Sequence, residues 1–89
     1  MKRFTVHFSG NVQGVGFRYV TCRVADQFDV SGYVRNLADG RVEMIAEGEE
    51  GELRRFVGAV EEQMVGHIRE RTIEQSPASG EFGAFGVAY

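Results

Sequence analysis

Hydrophobic and polar residues alternate from residue 3 to residue 9, which predicts a half-buried β-strand. From residue 17 to residue 29 the apolar positions recur at helical spacing, so a helix with one apolar face is expected there. The apolar positions are Phe4, Val6 and Phe8 in the strand and Phe17, Val20, Val24 and Phe28 in the helix.

Two further strands, residues 32–37 and 41–47, are predicted on either side of Ala38-Asp39-Gly40. The Asp-Gly pair is typical of tight hairpin turns, because those turns need residues that accept a positive φ. We therefore expect the two strands to pair with each other as a hairpin.

A second helix is predicted from about residue 50, where acidic residues suit the positive end of a helix, to a stop at Gly66. Its apolar stripe consists of Leu53, Phe56, Val57, Val60 and Met64. Residues 68–75 form a charged segment that predicts a strand at a sheet edge. A last strand is expected from the alternation of Phe85, Val87 and Tyr89.

The predicted order of elements is β-α-β-β-α-β with a short extra strand or split near the end, which is the ferredoxin-like arrangement. This α+β fold has an antiparallel sheet with two helices on one face. The length of 89 residues fits one small domain, so we assign residues 1–89 to a single unit. Five phenylalanines are expected in its core by periodicity, namely Phe4, Phe8, Phe17, Phe28 and Phe56.

The net charge of −3 disfavours a protein whose main task is to hold a long polyanion, but it permits a local site for one small anion. No apolar block is long enough to span a membrane, and the N-terminus lacks the pattern of a signal peptide. The single Cys22 cannot form an internal disulfide. We therefore expect a cytoplasmic protein, and we expect it to act as a monomer.

The most informative segment is residues 10–18, which places three glycines between the first strand and the first helix and ends at Arg18. Glycines let backbone N–H groups point toward a common centre, and a helix N-terminus adds unpaired donors and partial positive charge. The guanidinium of Arg18 adds a planar fork that matches a phosphate or carboxylate. The pattern predicts a cradle for a small tetrahedral anion.

Residues 10–18, Gly-Asn-Val-Gln-Gly-Val-Gly-Phe-Arg, resemble the first motif of the acylphosphatase family. Residues 32–36, Gly-Tyr-Val-Arg-Asn, resemble its second motif, and residues 39–43, Asp-Gly-Arg-Val-Glu, resemble the turn that follows. Two motifs at the right separation are more specific than a lone glycine loop. The likeness extends over almost the whole chain.

The resemblance implies hydrolysis of the carboxyl–phosphate anhydride bond of small acyl phosphates, without a metal ion or an organic cofactor. Inorganic phosphate would be a product and an inhibitor, and no nucleic acid or membrane partner is implied. Arg18 would bind the phosphoryl oxygens and Asn36 would hold the attacking water. The backbone N–H groups expected to bind the remaining oxygens are those of Gln13, Gly14, Val15, Gly16, Phe17 and Arg18.

The chemistry of the residues agrees with this expectation. An acyl phosphate has a carboxylate leaving group, so catalysis chiefly requires stabilised phosphoryl oxygens and a positioned water. A neutral amide at Asn36 can orient water without repelling the anion, whereas a carboxylate there would repel it. Because the sequence offers no evident strong general base, we expect a substrate oxygen to take the proton of the water.

Other residues with reactive side chains are assigned structural roles. His7 lies on the polar phase of the first strand, and the two histidines and the cysteine show no metal-ligand spacing. Cys22 has no activating group spaced to reach it, so we expect an inert thiol. Arg35 alternates with Asn36 and is expected on the opposite side of the sheet, at the surface.

Two other functions remain open from the sequence. An RNA-recognition module shares the β-α-β-β-α-β order and stacks bases on sheet aromatics, and residues 82–89 contain a similar aromatic pattern. In RNA-recognition modules, however, this pattern lies on the third strand and opens with a basic residue, whereas here it lies in the last strand and follows Glu81. The second alternative is an acylphosphatase-like domain without catalysis of its own, of the kind fused at the front of larger maturation proteins.

Overall fold

The computed structural model describes residues 1–89, and its elements follow the predicted order, including the short last strand. The strands and helices are β1 (Lys2–Gly10), α1 (Phe17–Ala25), β2 (Ser31–Asn36), β3 (Val42–Gly48), α2 (Glu50–Gln63), β4 (Ile68–Pro77) and β5 (Phe85–Val87). All five strands belong to one sheet with the order β4-β1-β3-β2-β5. The charged segment β4 is an edge strand, as predicted.

The hairpin between β2 and β3 forms at the predicted turn. Gly40 has a φ of 96°, a left-handed conformation that glycine adopts without a steric penalty. The N–H of Leu37 donates to the carbonyl oxygen of Arg41 over 2.8 Å, and the carboxylate of Asp39 accepts the N–H of Arg41 over 3.1 Å. The Asp-Gly prediction is therefore confirmed.

The two helices cover one face of the sheet, because the alternating strands turn their apolar side chains toward that face. The larger strand and helix residues of this core are Phe4, Val6, Phe8, Val34, Val42 and Met44 from the sheet and Phe17, Val24, Leu53, Phe56, Val57 and Val60 from the helices. Four of the five predicted core phenylalanines are fully buried, and Phe28 packs partly buried against them. The ferredoxin-like α+β class is thus confirmed.

One pair of strands adds a parallel pairing to the predicted antiparallel sheet. β1, β2, β3 and β4 pair antiparallel, but β5 pairs parallel with β2 through the partners Gly32–Phe85 and Val34–Val87. After β4 ends, residues 78–84 cross to the opposite edge of the sheet at the same end. We call residues 78–84 the crossing segment. A strand that starts after one such crossing must run back along the sheet, which is the direction of β2.

Two element ends also differ from the prediction. The helical pattern continues to residue 29, but α1 ends at Ala25, where the N–H of Phe28 closes a tight turn onto its carbonyl oxygen over 3.1 Å. The last strand ends at Val87, so the predicted third strand position, Tyr89, lies beyond it and is fully exposed. A side chain at a chain end can follow the strand pattern without any partner that buries it.

Candidate active site

The loop between β1 and α1 turns at two glycines in the left-handed conformation. Gly14 has a φ of 76° and Gly16 a φ of 79°, and both residues are exposed. The loop is anchored on either side by Val12 and Phe17, whose side chains are buried in the core. The ring of Phe17 packs against that of Phe8 with centroids 5.0 Å apart. Hydrophobic anchors thus hold a loop whose turns require glycine.

The backbone N–H groups of this loop are uncommitted. No backbone or side-chain acceptor takes the N–H groups of residues 12–16, and the first bond of α1 runs from Val20 N–H to the carbonyl oxygen of Gly16 over 3.0 Å. The helix has no side-chain cap and no acidic residue in its first turn. The unpaired donors and the positive end of the helix therefore remain available to an anion.

A side chain within the loop ties it to the β2–β3 hairpin. The amide Nε2 of Gln13 donates to the carbonyl oxygen of Leu37 over 2.8 Å and to that of Arg41 over 3.0 Å. Leu37 directly follows Asn36, the last residue of β2. The brace from Gln13 therefore fixes the distance between the glycine loop and the end of β2.

The glycine loop, α1 and the end of β2 meet at one pocket of about 350 Å³. Arg18 reaches it from the first turn of α1, and Asn36 reaches it from the end of β2. The residues that line the pocket are Val12, Gly14, Gly16, Phe17, Arg18, Tyr19, Cys22, Asn36, Val87 and Tyr89. The pocket thus combines polar groups at the loop with apolar side chains on its other walls.

The two polar side chains predicted to act in the pocket have no hydrogen-bond partner within the protein. Arg18 makes no ion pair, whereas Arg3, Arg35, Arg41, Arg54, Arg55 and Arg71 each contact a carboxylate. Its guanidinium carbon instead lies 5.3 Å from the ring centroid of Tyr89, a cation–π contact. The side-chain amide of Asn36 likewise has no partner in the protein. Lys2, Arg23 and Arg69 also make no ion pair, but Arg18 is the one of these four that lines the pocket with Asn36. The pocket therefore carries a positive charge that no carboxylate of the protein neutralises.

The structure places five of the predicted residues around the pocket: Gly14, Gly16, Phe17, Arg18 and Asn36. Gln13 and Val15 do not line it. The side chain of Gln13 forms the brace described above, and Val15 packs partly buried against the core.

Sequence reasoning did not place Val12, Tyr19, Val87 and Tyr89 at the site. The apolar alternation of residues 85–89 was visible, but the sequence gives no sign that the chain end returns to α1. Cys22 was considered only as an inert residue, and it too forms part of the pocket wall.

The other reactive side chains lie where they support structural roles. Nε2 of His7 contacts a carboxylate oxygen of Glu43 over 3.1 Å, and Nε of Arg35 contacts the same carboxylate over 2.8 Å, on the sheet face opposite the helices. Burial opposes ionisation of Glu43, but hydrogen bonds from His7, Arg35 and Tyr33 hold its pKa below its ordinary value. Arg35 and Asn36 therefore face opposite sides, as predicted.

The thiol of Cys22 is weakly ionised despite its place in the pocket wall. Burial raises its pKa, and the nearby charge of Asp26 raises it further. A thiol that stays protonated is a poor nucleophile, which agrees with the expected inert role. No group of three or more His, Cys, Asp and Glu side chains is arranged to hold a metal ion. Neither helix is long and apolar enough to cross a lipid bilayer.

The fold and the pocket define a ferredoxin-like α+β domain with a pocket at a strand-to-helix turn. The model of the acylphosphatase family matches residues 4–87. The chain therefore belongs to the acylphosphatase family and is a hydrolase that acts on acyl phosphates.

Three individual comparisons agree with this assignment. An acylphosphatase of Archaeoglobus fulgidus is 58% identical over 55 residues, which are 62% of each chain. The crystal structure of the Bacillus subtilis acylphosphatase aligns over 100% of both chains with a TM-score of 0.92 and 36% identity. The HypF protein of T. kodakarensis matches 100% of this chain at 30% identity and a TM-score of 0.84, but the match covers 12% of HypF.

Proposed function

We propose that this protein hydrolyses the carboxyl–phosphate anhydride bond of small acyl phosphates by direct attack of water on phosphorus, without a metal ion or cofactor. The observation that supports the proposal is one pocket lined by the glycine loop, Arg18 and Asn36, where loop N–H groups have no acceptor within the protein. These groups lie in a chain of net charge −3. That combination suits a doubly charged phosphoryl group.

In the proposed complex, the phosphoryl oxygens lie against the loop N–H groups and the start of α1. Arg18 donates to them with its planar fork and offsets the charge that they carry in the transition state. Because the donors are held by the anchors Val12 and Phe17, they need little rearrangement when substrate binds. Preorganised donors of this kind are each worth about 3–4 kcal/mol in transition-state stabilisation.

Asn36 is proposed to orient the attacking water. Its carboxamide can accept a hydrogen bond from the water without repelling the anion, and the brace from Gln13 to Leu37 holds it at a constant distance from the loop. The water oxygen forms a bond to phosphorus while the bond to the acyl oxygen breaks. The acyl oxygen leaves with the electron pair as a carboxylate. One proton of the water passes to a phosphoryl oxygen, which yields dihydrogen phosphate.

The apolar walls of the pocket are proposed to receive the acyl group. Val12, Cys22 and Val87 lie on those walls. The thiol of Cys22 takes no part in the chemistry, because its raised pKa keeps it protonated. Inorganic phosphate, which presents the same oxygens as the transferred group, is expected to compete with substrate.

The deciding experiment is hydrolysis of benzoyl phosphate with and without a chelator, for the wild type, Arg18→Ala and Arg55→Ala. Arg55 is an exposed arginine of α2 paired with Glu52, and it is the matched control. We expect turnover that the chelator does not change, a loss of about 100- to 1,000-fold in Arg18→Ala, and wild-type activity in Arg55→Ala. Loss of activity in chelator, or equal activity in both variants, would refute the mechanism.

The match to HypF keeps a binding role of the domain as a second candidate. The same assay separates the two functions. Phosphate binding without any turnover of benzoyl phosphate would favour the non-catalytic role.

The RNA-binding alternative has no such support. The ring of Phe85 packs against Phe56 of the core at 5.3 Å, so it is not presented on the open sheet face. On that face the guanidinium groups of Arg3 and Arg35 are paired with the carboxylates of Glu47 and Glu43, so neither is free to bind a nucleic acid backbone. Salt-sensitive binding of labelled single-stranded RNA would be needed to restore this alternative.

A further inference from the structure

The carboxylate of Glu47 collects four hydrogen bonds on the sheet face opposite the helices. Nε of Arg3 donates to its Oε2 over 2.7 Å, as do the N–H of Ser79 over 2.8 Å and the hydroxyl of Ser79 over 3.0 Å. The N–H of Gly80 donates to Oε1 over 3.0 Å. The side chain of Glu47 is 4% exposed. A carboxylate that is buried and accepts four hydrogen bonds holds the segments that carry its donors firmly in place.

Three of these four bonds come from the crossing segment, and the fourth comes from Arg3 of β1. Residues 78–83 make no backbone-to-backbone hydrogen bond. Nη2 of Arg3 also donates to the hydroxyl of Ser79 over 2.9 Å and to the carboxylate of Glu81 over 3.0 Å. The hydrogen bonds that tie residues 79–81 to the sheet therefore all involve Glu47 or Arg3.

The second part of the segment has other contacts. The ring of Phe82 lies 5.9 Å from that of Tyr33 and 5.4 Å from the guanidinium carbon of Arg3. The carbonyl oxygen of Ala84 accepts the N–H of Gly32 over 3.0 Å. Glu47 and Arg3 thus hold the start of the segment, and Phe82 and Ala84 hold its end.

The crossing segment leads directly into the part of the chain that lines the pocket. β5 is three residues long and pairs with β2 alone, so it is marginal without further support. The ring of Phe85, its first residue, packs against Phe56 of the core. Beyond it, Val87 and Tyr89 line the pocket, and the ring of Tyr89 lies 5.3 Å from the guanidinium carbon of Arg18.

We infer that Glu47 is a positioning residue for the pocket: its carboxylate fixes the crossing segment and thereby holds β5, with Val87 and Tyr89, against Arg18. Glu47 itself lies on the opposite face of the sheet and touches no pocket residue. The inference rests on the proposed hydrolysis for its kinetic consequences. Its structural consequence, a C-terminal strand held by a remote carboxylate, is independent of that proposal.

The test compares Glu47→Gln with Glu43→Gln. Glutamine keeps the shape of Glu47 but replaces one acceptor oxygen with an NH₂ group, so at least one donor of the crossing segment loses its partner. Glu43 is the matched control, because it is also a bonded carboxylate of β3 on the same face and no residue of the crossing segment donates to it. Ser79→Ala removes only the hydroxyl contacts and gives a milder variant.

The first readout is amide hydrogen exchange. In Glu47→Gln we expect faster amide exchange at Ser79 and Gly80 than in the control variant. We also expect faster exchange at Ala88, whose N–H donates to the carbonyl oxygen of Val34. The exchange rates in β1 and β3 should be the same in both variants. The second readout is kinetic: kcat/KM should fall by about tenfold to a hundredfold in Glu47→Gln and by less in Ser79→Ala. In a Tyr89→Ala background the same Glu47→Gln substitution should have a much smaller effect, since the side chain it positions is gone.

Each outcome decides the inference. Localised exchange with reduced kcat/KM supports it, whereas faster exchange with unchanged kcat/KM, or uniform loosening of the sheet, overturns it. If the wild type shows no hydrolysis, the proposed function fails by itself. The affinity for inorganic phosphate then replaces kcat/KM, and equal phosphate affinity in wild type and Glu47→Gln overturns the inference.

Discussion

The side-chain amide of Gln13 donates to the carbonyl oxygen of Leu37 over 2.8 Å, so the glycine loop and the end of β2 are joined beside the pocket. The same amide nitrogen also bonds the carbonyl oxygen of Arg41 over 3.0 Å. One side chain thus ties the turn end of the β2–β3 hairpin to the loop. The distance between the proposed phosphoryl site and Asn36 depends on this brace.

Removing the brace should impair activity more than stability. Gln13→Ala removes two side-chain hydrogen bonds, but the carbonyl oxygens of Leu37 and Arg41 each keep a backbone donor, so we expect a loss of about 1 kcal/mol of folding free energy. Because the loop can then shift relative to Asn36, we expect kcat/KM to fall by about tenfold to a hundredfold. Urea unfolding and benzoyl phosphate kinetics measure the two effects. Gln75→Ala, at an exposed position of β4, is the control, and equal kinetics in both variants would contradict the role of the brace.

Two substitutions at Asn36 separate water positioning from anion repulsion. Asn36→Ala should lower kcat by about 100-fold but leave inhibition by inorganic phosphate nearly unchanged, because the group that orients the water is lost and the anion donors remain. Asn36→Asp should weaken phosphate inhibition as well, since a second negative charge faces the anion. Steady-state kinetics with phosphate as inhibitor distinguish the two. A parallel loss of kcat and phosphate affinity in Asn36→Ala would indicate a structural role.

The need for a positive φ at Gly14 can be tested by substitution, with a glycine in a helix as the control. A Cβ at Gly14 would meet no atom within 4 Å, so Gly14→Val fails only through its φ of 76°. We expect a loss of about 1–2 kcal/mol in stability together with weaker phosphate inhibition. Gly58 in α2 also has open space but an ordinary φ, so Gly58→Ala should stabilise the protein by about 0.5–1 kcal/mol. Thermal unfolding compares both, and unaltered phosphate inhibition in Gly14→Val would count against the cradle.

Glu47 should make the stability of the protein sensitive to acid. Burial disfavours its ionised form, but the N–H of Ser79, the guanidinium of Arg3 and the N–H of Gly80 together lower its pKa from 4.5 to about 2. Between these two values the unfolded chain binds the proton and the folded protein does not. The stabilisation is therefore fully present above pH 4.5 and is lost as the pH falls toward about 2.

Unfolding of the wild type and Glu47→Gln at several pH values measures this contribution. The difference in unfolding free energy between the two proteins should be largest at neutral pH and should shrink in acid below pH 4.5. Glu43→Gln serves as a second carboxylate on the same strand. If the difference in unfolding free energy between wild type and Glu47→Gln does not change with pH, the charge of Glu47 does not contribute to the stability.

The sequence by itself determined the elements, the fold class and two polar residues that line the pocket. Strand and helix periods, the Asp-Gly turn and two motifs depend on local sequence, and these led to the ferredoxin-like fold, to Arg18 and to Asn36. The positive φ of Gly14 was also foreseeable, because a loop with spaced glycines before a helix requires it.

Only the tertiary structure decided how distant segments combine. The brace from Gln13, the parallel pairing of β5 and the contact of Tyr89 with Arg18 join residues far apart in the chain. The anchor at Glu47 depends on where the crossing segment passes over the sheet. Such contacts follow from chain direction and the packing of one element on another, and no local pattern of hydrophobic and polar residues encodes either.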